Sequence, residues 1–315
     1  MRFARRAAVP VALLSVLAIA GCSAPAATSD KPQQEETRTV ETVFGEVDVP
    51  VDPQRIVIVQ SAALDAALAL GIEPVGSTFW GGAGGVPEYL QDQVPADFTL
   101  VGNEDEPDFE AIAALEPDLI IATEAAEENL ATFEDIAPVA AFAFADENGD
   151  SDWRGHVTQI ADFTGREEQA EEVLADFDAL IAELDAEVAV PGETVIPLRV
   201  RADHVRHYLP LSFVGADVLQ SLSNIELPDS KVASENGEWA VIPAERLDVL
   251  DSDRIIAFID SQEAYDTLQA QSLWQGLPAV QNGKVCVTEN LVAWILGGPS
   301  AAKVVADDVR ECLAA

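Results

Sequence analysis

The chain has 315 residues, 49% of them hydrophobic, with 56 Asp+Glu set against 17 Lys+Arg for a formal net charge of −39 at pH 7. So acidic a surface repels polyanions, which excludes nucleic acid and anionic lipid as partners. The length is ample for two lobes of ordinary domain size.

The chain begins with an export pattern. Arg2, Arg5 and Arg6 form a positive segment, and Ala7 to Ala20 an apolar stretch too short to span a bilayer. The stretch ends in Ile19-Ala20-Gly21-Cys22, which resembles the lipobox of bacterial lipoproteins, where the cysteine is acylated and becomes the first residue. Residues 1–21 are thus expected to be a lipoprotein signal peptide. Cys22 is the expected lipidation site, anchoring the protein outside the cytoplasm at the cell membrane; an ordinary leader with an incidental cysteine is the alternative. Loss of the leader's three arginines deepens the charge to −42. Residues 22–38 are small, polar and proline-containing, and read as a flexible tether. No later stretch is long and apolar enough to cross a membrane.

Strands and helices then alternate. Ile56 to Val59 is an apolar run suited to a strand buried on both faces, Ala62 to Leu70 has helical spacing, and Pro74-Val75-Gly76 reads as a second strand. Asp108 caps a helix through Leu115, Leu119 to Ala122 is the next strand, and Val139 to Phe144 another. From Glu167 to Val188 an apolar stripe of Ala170, Val173, Leu174, Phe177, Leu180, Ile181, Leu184 and Val188 predicts one long helix. Beyond it Thr194–Val200, Arg254–Ile259 and Lys284–Thr288 read as strands, and Phe213–Leu222 and Ser300–Leu313 as helices. The expected fold is α/β, with two Rossmann-like lobes, 39–165 and 191–315, each on a parallel central sheet. One rigid helix, 166–190, joins them and a ligand cleft lies between. Cys286 and Cys312 predict one disulfide in an oxidising compartment, with two free thiols as the alternative.

Three stretches carry a family resemblance. Pro53-Gln54-Arg55-Ile56-Val57 running on to Leu68-Ala69-Leu70-Gly71-Ile72-Glu73-Pro74-Val75-Gly76 is the first. Gly102 with Pro107-Asp108-Phe109-Glu110-Ala111-Ile112 and Leu115-Glu116-Pro117-Asp118-Leu119-Ile120 is the second, and Leu273–Val280 with Asn282-Gly283-Lys284-Val285 the third. In this order they resemble the helical-backbone (class III) periplasmic binding proteins of ABC importers, over about residues 40–313. The resemblance implies a monomeric binding protein for ferric siderophores, cobalamin or haem that docks on an importer permease through one glutamate per lobe. Carried over by motif, these are Glu110 and, in Ile242-Pro243-Ala244-Glu245-Arg246-Leu247, Glu245. An acid in a helix's first turn is also favoured by the helix dipole alone.

Two stretches are candidates for ligand contact. Phe79 and Trp80 precede a glycine-rich segment after the second strand, where the loops of α/β sheets meet ligands. Arg199, Arg201, His204, Arg206, His207 and Tyr208 gather cations within a few residues of a very acidic chain. Guanidinium groups suit carboxylate or catecholate oxygens; salt bridges to surface acids are the equal alternative. Trp239 and Trp294 are further candidates that fit a core position as well. No nucleophile elbow, phosphate loop or zinc-binding helix is present, so the expected role is capture, not catalysis, with no cofactor. A ferric siderophore is the expected ligand, with cobalamin, haem (Tyr208 or His207 the axial offer) or bare ferric ion as alternatives.

Overall fold

The computed structural model of the protein describes residues 36–80, 84–146, 152–188, 190–208, 214–234 and 239–314. The expected leader, Cys22, most of the tether and residues 81–83 lie outside them. The first described element is a hairpin, Thr37–Thr42 (β1) with Gly45–Pro50 (β2), so the expected tether ends at least two residues early. Its β-branched residues, threonines in β1 and valines in β2, suit a strand pair, and Val43 N donates to Ala141 O at 2.9 Å, fixing the hairpin to the first lobe.

That lobe runs Ile56–Ile58 (β3), Ser61–Ala69 (α1), Gly76–Phe79 (β4), Thr99–Asn103 (β5), Phe109–Ala114 (α2), Leu119–Thr123 (β6), Leu130–Glu134 (α3), Val139–Phe142 (β7) and Trp153–Thr164 (α4). Its five strands are parallel, in the order β5-β4-β3-β6-β7. The second strand starts at Gly76, not Pro74. Pro74 has no N–H to give a ladder, so Ser77, Thr78 and Phe79 are strand residues and not loop. The first two resemblance motifs bond each other: Asp118 accepts from the backbone N–H of Gln54 and Arg55 at 2.7 and 2.9 Å. Arg55 Nε donates in turn to the carbonyl of Leu115 at 2.9 Å. Gly102 (φ 92°) belongs to the same motif, and a Cβ there would meet Glu106 O at 2.6 Å.

The long helix is present as Glu167–Glu187 (α5), about 31 Å at 1.5 Å per residue. Ala170, Phe177, Ile181 and Leu184 of the stripe are buried. The second lobe follows as Glu193–Val200 (β8), His204–Tyr208 (β9), Val214–Gln220 (α6), Ile225–Glu226 (β10), Trp239–Pro243 (β11), Arg254–Ile259 (β12), Gln262–Gln269 (α7), Ser272–Gln275 (α8), Pro278–Gln281 (α9), Val285–Thr288 (β13), Leu291–Leu296 (α10) and Pro299–Cys312 (α11).

Here the expectation of a parallel sheet fails. The order is β11-β9-β8-β12-β13, and β9 runs antiparallel to both neighbours, so the sheet is mixed. Only three residues join β8 to β9, with Arg201 N donating to His204 O at 3.0 Å. A link that short makes a hairpin, because a parallel return needs a crossover of a dozen residues. Trp274 is 1% exposed in the core beneath this sheet, and Cys286 is disulfide-bonded to Cys312, tying β13 to α11.

One link between the lobes is polar and fully buried. Asp65 on α1 accepts from the N–H groups of Gly298, Ser300 and Ala301 at 2.8, 2.8 and 3.0 Å, so a first-lobe side chain caps the last helix of the second. The Gly297-Gly298 pair permits that approach: a Cβ on Gly298 would meet Asp65 Cγ at 3.3 Å.

Candidate functional site

In open α/β sheets ligands lie past the carboxyl ends of the strands, where the strand order reverses. The reversal falls between β3 and β6 in the first lobe and between β8 and β12 in the second. Past β3 sits Ser61, whose N–H donates to Glu104 Oε1 at 2.6 Å and whose hydroxyl donates to the same oxygen. Burial pushes the Glu104 carboxyl above its ordinary pKa, against the opposing pull of the Ser61 bonds. Past β8 and β12 sit Arg201 and Asp260.

The pleat sorts the basic cluster. β8 and β9 pair Arg199 with Arg206 and Leu198 with His207. Arg199, Arg206, Tyr208, Trp239 and Phe258 therefore share one face of the sheet, and His207 takes the other. Arg199 Nε donates to Asp260 Oδ1 at 2.6 Å and the Tyr208 hydroxyl bonds the same guanidinium. Arg201 reaches Asp260 Oδ2 at 3.7 Å. The Arg199 guanidinium also lies 5.8 Å from the centroid of Trp80, which links the second-lobe cluster to the first-lobe loop end. Arg206 stands 4.5 Å over the Trp239 ring. Two of the three guanidinium groups, Arg199 and Arg201, thus share a single described acid, and Arg206 pairs with none among the described residues.

The remaining candidates separate. Phe79 is half-buried at the end of β4, beside Trp80. Tyr208 is 3% exposed, so it holds Arg199 from beneath instead of facing solvent. Two expected ligand contacts are corrected. His207 is buried opposite the arginines, and burial pushes its pKa down to about 4, against the raising effect of Asp229. Trp294 is 2% exposed, stacks on Phe258 at 5.3 Å and donates from Nε1 to Asp308 at 2.8 Å, so it is core. Ser61, Glu104 and Asp260 were missing from the sequence reading, although Asp260 directly follows a buried strand and so had to fall at a carboxyl end. Among the described residues no group of three or more His, Cys, Asp or Glu side chains gathers to hold a metal ion, and no helix is long and apolar enough to cross a membrane.

Glu110 and Glu245 occupy matching places. Each is exposed in the first turn of a helical segment, two residues past its N-cap, Asp108 or Pro243. Each follows an edge strand, β5 or β11, that runs parallel to its lobe's central strand. Both acids therefore leave their sheets at the carboxyl ends, the side that carries the arginine cluster.

Known proteins resemble the chain in sequence and in fold. The chain is 29% identical over 316 residues to the "Probable siderophore-binding lipoprotein YfiY" of Bacillus subtilis, covering 95% of each chain. It is 31% identical to the Fe(3+)-citrate-binding protein YfmC of the same organism, covering 89% of this chain and 87% of that one. Among solved structures, Staphylococcus aureus SirA complexed with staphyloferrin B superposes with a TM-score of 0.73 at 23% identity, over 88% of this chain and 98% of the other, a likeness of fold. The profile of the family described as "Periplasmic binding protein" matches residues 56–291, and the chain belongs to that family.

Proposed function

We propose that the protein is a monomeric extracytoplasmic lipoprotein that captures a ferric siderophore and hands it to an ABC importer. On this reading residues 1–21 are removed, Cys22 carries the lipid and residues 22 to about 36 form the tether. Lobes 39–165 and 191–315 hold the ligand about the connecting helix, 166–190. The observation that carries the reading is the Arg199–Trp80 contact between the lobes, set in a cluster of three arginines with one described counter-acid. In a chain of net charge −39, a locally positive site at the strand ends suits an anionic chelate. The names of two relatives, one siderophore-binding and one Fe(3+)-citrate-binding, support it.

Tryptophan fluorescence tests it directly, because Trp80 and Trp239 both stand against the arginines. Saturable quenching by one class of ferric chelate, and none by bare ferric ion, is expected. Binding of cobalamin, haem or bare ferric ion alone would overturn the ligand. Docking is separable from capture: Glu110→Lys with Glu245→Lys should abolish uptake in cells and leave ligand affinity within about twofold, since both acids are solvent-exposed. A matching loss of ligand affinity would refute the docking role.

A further inference from the structure

Arg206 is the arginine in this cluster left without a counter-charge among the described residues. It stands directly opposite Arg199 across the β8–β9 ladder, a like-charge pairing that destabilises a sheet. Arg199 offsets this through Asp260 and Tyr208, and Arg201 shares Asp260. Arg206 forms no ion pair among the described residues, and its Nε is buried without an acceptor. The chain carries 56 acids, so their scarcity does not explain the gap. Among the described residues its side chain rests on the face of Trp239, at 4.5 Å. Such an arrangement fixes the plane of the guanidinium and leaves its charge uncompensated, a costly state for a half-buried group unless a ligand supplies the anion.

Resting on the ferric-siderophore reading above, we propose that Arg206 on its Trp239 platform is the specificity-determining residue of the site. It takes a carboxylate that the iron leaves free, so the ligand is a ferric polycarboxylate chelate of the citrate type. A carboxylate presents two coplanar oxygens that match the guanidinium fork. A ferric trihydroxamate brings no free anion to this position. A tris-catecholate concentrates its charge on oxygens already bound to iron and offers no planar pair. Arg199, held from two sides, supplies field and framework, whereas Arg206 is pre-organised and unspent.

The test is equilibrium dialysis of the full chain against radiolabelled ferric citrate, ferrioxamine B and ferric enterobactin, with thermal melting of each variant. The wild type should bind ferric citrate most tightly. Arg206→Gln should weaken that binding by about 30-fold or more, and Arg206→Lys, which restores charge but not the fork, by about 10-fold. Preference for the hydroxamate or catecholate overturns the inference and leaves the siderophore reading intact. So does full affinity for ferric citrate in Arg206→Gln or Arg206→Lys. Failure to bind any of the three chelates overturns both. Should Arg206→Gln fail to fold, Arg206→Lys and the wild-type ranking still decide.

Discussion

Replacing Asp65 by alanine is expected to remove about 4 kcal/mol of stability in urea unfolding, although the residue is far from the arginine cluster in sequence and touches no candidate ligand residue. The carboxyl is 1% exposed and accepts three backbone N–H groups from the first turn of α11. Truncation strands those donors. Gly298 and Ala301 are buried, so no bulk water replaces the lost acceptor, whereas half-exposed Ser300 can recruit some. Asp65→Asn keeps the shape but offers one acceptor oxygen and turns an N–H₂ toward the donors, so about 2–3 kcal/mol is expected there. The effect reaches beyond one helix end, because α11 packs on α5, α6 and α10 while its first turn is held by α1. Hydrogen exchange should therefore show the amides of Gly298, Ser300 and Ala301 losing protection first. A loss below about 1 kcal/mol for the alanine variant would mean the cap carries no weight.

Much of this architecture was legible before any coordinates. Ile56–Ile58, Leu119–Thr123 and Arg254–Ile259 are buried on both faces and read as plain apolar runs. The connecting helix declared itself through a stripe whose buried members the fold uses as expected. Among the elements that escaped, beside β1, β2, β5 and α4, were β9 and β11, the two that carry Arg206 and Trp239. His204 and Arg206 alternate with Val205 and His207, and a strand with one face toward a polar site looks like a basic loop when only apolar content is read. Applied to these five residues, the twofold period would have placed His207 on the face away from Arg206 and removed it from the ligand list. Trp294 was ambiguous for a different reason: a tryptophan before a glycine pair fits a cleft rim or a core, and its partners Phe258 and Asp308 are 36 and 14 residues away. Asp260 and Glu104 could not be assigned because Arg199 and Ser61, the groups they hold, lie 61 and 43 residues distant in the chain. Local pattern reveals elements and faces, while ion pairs across a sheet depend on strand order, which the three-residue β8–β9 hairpin changed.

His207 predicts a pH dependence of the fold that its place away from the arginines makes separable from ligand binding. Its pKa in the folded protein is about 4, set first by burial and partly opposed by Asp229, against about 6.5 for an unfolded histidine. Well above pH 6.5 the ring is neutral in both states and contributes no slope. As pH falls from 6.5 toward 4, the unfolded chain binds a proton that the folded chain refuses, so stability is lost with acidification. Between pH 7.5 and 4.5 the loss assigned to this residue is about 2.5 kcal/mol. Buried His156, whose pKa is also lowered by desolvation, adds a contribution of the same sign. Carboxylates titrate in the same range, so the informative quantity is the difference in slope between wild type and His207→Leu, measured by urea unfolding at both pH values. The variant should lose markedly less stability on acidification than the wild type, whatever its stability at pH 7.5. Parallel slopes would mean that His207 is protonated in the folded protein, and that the sheet face opposite the arginines admits water to a ring buried at 3% exposure.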